Sequence, residues 1–136
     1  MLIIMKLIIS ATFSTCTVTD GYVKFMDLTL PTFLGTKYDW VMSLEVGEHI
    51  PSIHEATFLK NIVRHAKEGV VLSWAVPGQS GHHHVNLHEN SYVISRMADL
   101  GFEYDNNTSE GLRNAAQLEW LKNTLMVFGK KKIRKN

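Results

Sequence analysis

Several things are scarce in this sequence, and each scarcity excludes something. One cysteine, Cys16, rules out an internal disulfide and fits a reducing compartment. The formal net charge is +1, so no global field steers the chain toward nucleic acid. The apolar run Met1 to Ile9, broken only by Lys6, is far shorter than the roughly 20 residues that span a bilayer, so stable membrane insertion is not expected. No glycine occurs between Met1 and Asp20. No internal repeat or low-complexity segment is present. What remains is 136 residues, 45% hydrophobic and 20% charged, a balance that suits one globular domain with a real core.

From Gly21 onward, short apolar runs alternate with helical patterns, as in an α/β domain. Tyr22–Met26 and Asp39–Leu44 read as strands. Ser52-Ile53-His54-Glu55 has the form of a capping box opening a helix with Leu59, Ile62, Val63 and Ala66 on one face. Lys67 and Gly69 would close that helix. Val70–Val76 reads as a strand apolar enough to be buried on both faces. The spacing then predicts a helix over 92–100 ended by Gly101, a strand over 102–105, an amphipathic helix around Leu112, Ala115 and Ala116, and a strand over 124–128. That last strand follows a short helix, so it can insert antiparallel. The segment 1–20 admits three readings: a buried strand, a signal segment ending in the small residues Ser10 to Cys16, or a non-native start. The chain is cytoplasmic on the first reading and secreted on the second.

The run Tyr38-Asp39-Trp40-Val41-Met42-Ser43-Leu44-Glu45-Val46-Gly47-Glu48-His49-Ile50-Pro51 resembles the fourth-strand motif of class I S-adenosylmethionine-dependent methyltransferases. Phe25-Met26-Asp27-Leu28 resembles the end of that family's third strand, Gly69 to Ala75 its fifth strand, Gly101-Phe102-Glu103-Tyr104 the entry to its sixth, and Thr124 to Phe128 its seventh. The resemblance covers about residues 21–129. It implies a three-layer, Rossmann-like α/β fold with a mostly parallel sheet, an S-adenosylmethionine site, and methyl transfer to a small-molecule acceptor. It also implies a departure. The family opens with a strand and an Asp/Glu-x-Gly-x-Gly-x-Gly loop, and nothing in Met1 to Asp20 can supply that loop. The expected fold is therefore a truncated methyltransferase domain at 21–129, led by an apolar segment at 1–20 and followed by a basic tail at 130–136. Its activity is expected to be impaired. The alternative is a non-catalytic remnant, with a protein partner covering the exposed sheet edge.

The resemblance assigns Asp27 to adenine and Glu45 to the cofactor edge, against solvent-facing or structural roles. Asp39, at a strand's start, reads as structural. Glu48 and His49 can take a proton from the acceptor, or can simply cap the next helix and hold its loop. Gln79, His82 and Asn86 belong to the loop after the fifth strand, on the substrate side. The run His82-His83-His84 with His88 suggests a metal, but adjacent histidines rarely converge on one ion, so no metal is expected. Trp40, Trp74 and Trp120 read as core. The tail Lys130 to Lys135 reads as a solvated terminus rather than a nucleic-acid contact.

Overall fold

The computed structural model describes residues 26–132, together with the backbone of residues 2–5. Five strands form one sheet: β1 (Leu2–Met5), β2 (Tyr38–Ser43), β3 (Ala66–Leu72), β4 (Phe102–Tyr104) and β5 (Met126–Lys130), in the spatial order β1-β2-β3-β5-β4. The first three run parallel. β5 inserts antiparallel between β3 and β4, as expected. Among the described residues, four helices accompany them: α1 (Glu55–His65), α2 (Asn90–Asp99), α3 (Asn106–Ala115) and α4 (Glu119–Thr124). No described helix is long and apolar enough to cross a membrane.

β1 lies in the apolar run of the first twenty residues. It pairs with β2 from Leu2 against Trp40 to Met5 against Ser43, so that edge of β2 is occupied. The expected strand at 22–26 falls outside the described residues, except Met26, which is in no strand.

α1 and β3 differ from the sequence reading, and packing explains why. α1 is preceded by a 3₁₀ turn, Ser52–His54, without a side-chain cap, and it ends at His65. Asn61 holds the helix to the segment before β2, donating to the carbonyls of Leu28 (3.1 Å) and Leu30 (2.8 Å) and accepting from the Thr32 amide. β3 then begins at once, four residues ahead of the expected strand. Gly69 therefore sits inside the strand rather than at a helix end. Any Cβ there would overlap the Trp40 ring on the neighbouring strand. Val70 and Leu72 are buried while Val71 is only half-buried, so the two faces of β3 are not equally covered.

One core joins the sheet to α1 and α2: Val41, Val70 and Leu72 meet Phe58, Leu59, Ile62, Val93 and Met97. Gly101, at φ +84, ends α2 in the left-handed conformation that glycine adopts without steric cost. α3 buries Ser109 rather than Leu112 or Ala115, both exposed. The Ser109 hydroxyl accepts from the Val127 amide at 2.9 Å and so ties the helix to β5. α4 has no counterpart in the sequence reading; it is only six residues long and has no side-chain cap.

Candidate functional site

Parallel β1, β2 and β3 bring their carboxyl ends to one edge, where ligands of open α/β sheets bind. After β2 the chain passes through Glu45 at φ 53, an uncommon conformation for a residue with a Cβ. Three hydrogen bonds over-determine it. The Ser73 hydroxyl accepts from the Glu45 amide and donates to Glu45 Oε1, both at 2.8 Å. Gln79 Nε2 donates to Oε2 at 3.1 Å. Glu45 and Gln79 thus face one open cavity of about 710 Å³, walled by Val76 to Ser80, His84 and the α4 residues Glu119, Trp120 and Asn123.

Next to it stand Glu48 and His49, in a 3₁₀ turn at Gly47–His49. Gly47 lets this turn lie flat on the Trp74 ring, where a Cβ would overlap the indole. Glu48 is fully buried, and neither carboxylate oxygen has a hydrogen-bond partner among the described residues. Burial pushes its carboxyl up to about 7. The nearby backbone amides of Glu48 and Ala75, outside hydrogen-bond geometry, pull the other way, and the Glu45 charge adds a further rise. The His49 ring lies 3.8 Å from Glu48 Oε1 through Nε2. Its Nδ1 contacts the His83 carbonyl at 3.1 Å, and His84 Nδ1 contacts the Gln79 carbonyl at 3.2 Å. The two imidazoles meet edge to face at 5.1 Å.

A second carboxylate, Glu55, opens α1. It does not reach back as a cap; its acceptors are taken by distant residues. Tyr92 Oη donates at 2.7 Å and Asn86 Nδ2 at 2.9 Å, and His88 Nε2 lies at 2.8 Å. Burial pushes the Glu55 carboxyl up, but the hydrogen bonds from Tyr92, Asn86 and His88 outweigh it and hold the group below the usual range. Asn86 is buried, and its carbonyl accepts from Trp74 Nε1 at 2.7 Å. The amides of Val85 and Asn86 donate to the Glu48 carbonyl, which joins the two carboxylate turns.

The structure therefore gathers Glu45, Gln79, Glu48 and His49 at one edge. Asn86 lies behind them as a brace on Glu55 and Trp74, and His82 is exposed and does not line the cavity. Asp27 is an exposed turn acid. Its carboxyl is lowered by hydrogen bonds from the Thr29 hydroxyl and amide, at 2.6 and 2.9 Å. Asp39, by the first residue of β2, pairs with Lys67 at 3.4 Å. Of the tryptophans, Trp74 is core. Trp120 departs from the expectation: it stands in α4, is 45% exposed and walls the cavity. No local motif marked Trp120, and only the placement of α4 reveals it.

No family profile matches the chain, and no curated protein matches it by sequence. Solved structures do match in shape. Magnesium protoporphyrin IX methyltransferase from Synechocystis PCC 6803, solved with bound S-adenosylmethionine, aligns at TM-score 0.52 and 17% identity over 88% of this chain and 52% of that one. An O-methyltransferase family protein from Burkholderia thailandensis aligns at TM-score 0.59 and 14% identity, over 90% and 40%. The sugar N-methyltransferase KedS8 from Streptoalloteichus aligns at TM-score 0.59 and 14% identity, over 79% and 61%. The chain thus spans about half the length of the structures it matches. At these identities the likeness establishes the fold alone, an α/β fold that this chain shares with part of each of these methyltransferases.

Proposed function

We propose that this chain is the acceptor-side part of a small-molecule methyltransferase, with methyl transfer from S-adenosylmethionine as the inherited activity and cofactor binding impaired. The supporting observation is the cavity at the carboxyl edge of the parallel strands. Its volume of about 710 Å³ suits a small molecule, with Trp120 as an apolar wall and Glu45, Gln79 and His84 as polar groups. Holding an acceptor in line accounts for much of what such an enzyme must do. Glu48 and His49 do not line the cavity but stand behind His84, which does, and are the groups proposed to take a proton from the acceptor. A carboxyl near 7 suits that task at neutral pH.

The cofactor's methionine end does not fit this chain. β1 stands beside β2, and the sequence that follows it, Lys6 to Asp20, has no glycine to let a backbone close on a ligand. Asp27 is engaged by Thr29, and both Glu45 oxygens are engaged by Ser73 and Gln79. The same observations support the second reading, a non-catalytic methyltransferase remnant, although β1 already covers the edge of β2 that a partner chain would take. Calorimetric titration of the purified chain with S-adenosylmethionine separates the readings from full activity. The expected result is binding no tighter than millimolar, since losing two or three charged contacts at about 1.5–3 kcal/mol each removes a micromolar site. Micromolar binding with methyl-transfer turnover would overturn the impairment.

A further inference from the structure

We propose that Glu48, His49 and His84 form a site for a divalent transition-metal ion of the zinc class, beside the cavity that His84 lines. These three are the groups among the described residues whose ligand atoms lie together, all within 4.8 Å of one another. A tetrahedral zinc ion with bonds near 2.0–2.1 Å spaces its ligands about 3.3 Å apart. His49 Nε2 and Glu48 Oε1, at 3.8 Å, are already close to that, and the widest pair needs about 1.5 Å of closure. Two imidazoles and one carboxylate suit zinc better than magnesium or calcium, which take oxygen ligands. Three protein ligands leave a position open, and His84 also lines the cavity, so that position faces an oxygen or nitrogen donor of a bound molecule.

Two independent observations point to the ion. The first is Glu48 itself: a fully buried carboxylate, aimed at His49, without one hydrogen bond among the described residues. A buried carboxyl without a hydrogen-bond donor is costly to ionise, and a cation held between it and His49 is a partner that would let it do so. The second is the outer hydrogen bonding of the histidines. A backbone carbonyl only accepts, so His49 Nδ1 and His84 Nδ1 carry protons toward the carbonyls of His83 and Gln79. In neutral rings this leaves both Nε2 atoms with free lone pairs, the arrangement that orients metal-binding histidines. The local backbone serves the same end. His83 is left-handed at φ 59, and Gly81 leaves the space that the His84 ring fills, since a Cβ there would overlap the ring. Adjacent histidines need not converge here: His84 turns in while His82 and His83 are exposed.

The site shares Glu48 and His49 with the proposed methyl-transfer reading but does not depend on it, and the probe is the metal alone. The full chain, stripped with a chelator, is titrated with Zn²⁺ against a chromophoric competitor, and with Co²⁺ for the absorption bands of a four-coordinate site. One equivalent should bind at micromolar affinity or tighter. Glu48→Gln, His49→Gln and His84→Gln should each weaken it at least tenfold and abolish the rise in melting temperature that zinc gives the parent. His82→Ala and His83→Asn should leave affinity within twofold, asparagine being chosen because it tolerates the left-handed position. Circular dichroism establishes that each variant is folded. Glu48→Gln, which removes an unpaired charge, should melt no lower than the metal-free parent and so reads binding without a folding defect. Absence of stoichiometric binding, or binding lost with His82 and unchanged by Glu48→Gln, overturns the proposal and reduces the histidine run to a surface chelator. A ligated His49 cannot also accept a proton, so zinc occupancy and a general-base role for His49 exclude one another.

Discussion

The surroundings of Glu48 and Glu55 make an instructive pair. Both carboxylates are buried, seven residues apart, in consecutive turns at the same edge of the sheet. Glu55 is met by a phenol, an amide and an imidazole, and its carboxyl is held below the usual range. Glu48 is met by no donor in hydrogen-bond geometry among the described residues, and its carboxyl is pushed up to about 7. The first arrangement uses a charge as a bolt through the fold. The second leaves a charge unsatisfied, and such a group in a cleft marks a functional site better than a structural one.

The comparison can be broken most severely at Trp74, which serves both sides. Its ring lies under Gly47 on the Glu48 side and against His88 at 5.6 Å on the Glu55 side, with Phe58 at 5.8 Å beneath. Trp74→Ala is expected to lower stability by about 3–5 kcal/mol. Denaturant unfolding measures it, and a loss under 1 kcal/mol would mean that the two turns do not share this support. Next comes Glu55→Ala, which leaves Asn86 buried without its acceptor and frees His88 and Tyr92. The expected loss is about 3 kcal/mol, since hydrogen bonds to a charge contribute about 1.5–3 kcal/mol and are not additive.

Acid sharpens the same contrast, because the two shifts have opposite signs. A carboxyl held low in the fold stabilises fully above its unfolded value near 4.5, and this contribution is lost as pH falls through the lower folded value; Glu55 is that case. A carboxyl raised in the fold does the reverse. Between 4.5 and about 7 the folded chain holds a proton that the unfolded chain has lost, so Glu48 makes stability fall as pH rises across that window. In chelator, Glu48→Gln should remove that fall, leaving the variant more stable than the parent by about 1–3 kcal/mol at pH 8. Urea melts at pH 5 and pH 8 measure it. Identical pH dependence in parent and variant would show that Glu48 titrates normally.

How much of this could be read from the sequence depends on how local each signal is. β2 was legible within one residue, because Tyr38 to Ser43 is an apolar run bounded by polar turns. The antiparallel entry of β5 was anticipated, but on the ground of one short helix before it, whereas α3 and α4 both lie between β4 and β5. β3 was displaced by four residues because Ala66 to Gly69 looks like a helix end, and only pairing with β2 and packing of Gly69 under Trp40 say otherwise. Glu55 satisfied a capping pattern by sequence, yet its partners lie 31 to 37 residues away. Glu48 and His49 were visible as chemistry but not as a cluster, since His84 joins them across 35 residues of chain. Long-range pairing is what a local reading cannot supply.

The smallest expected effect tests whether Glu55 is a shared bolt or the property of one donor. Tyr92→Phe removes a single hydrogen bond of 2.7 Å from a side chain that is 39% exposed, so water can replace the hydroxyl. The ring remains stacked on His88 at 3.8 Å, which confines the change to the oxygen. The expected loss is about 1 kcal/mol or less, well below that of Glu55→Ala, because Asn86 and His88 still hold the carboxylate. The Glu55 carboxyl should also rise, because the Tyr92 hydrogen bond is the largest of the interactions that lower it. Its acid-induced loss of stability should then begin at higher pH. Carboxyl titration by nuclear magnetic resonance in parent and Tyr92→Phe measures that shift directly. An unmoved Glu55 would assign the lowering to Asn86 and His88 alone, and a loss as large as that of Glu55→Ala would make Tyr92 the sole bolt.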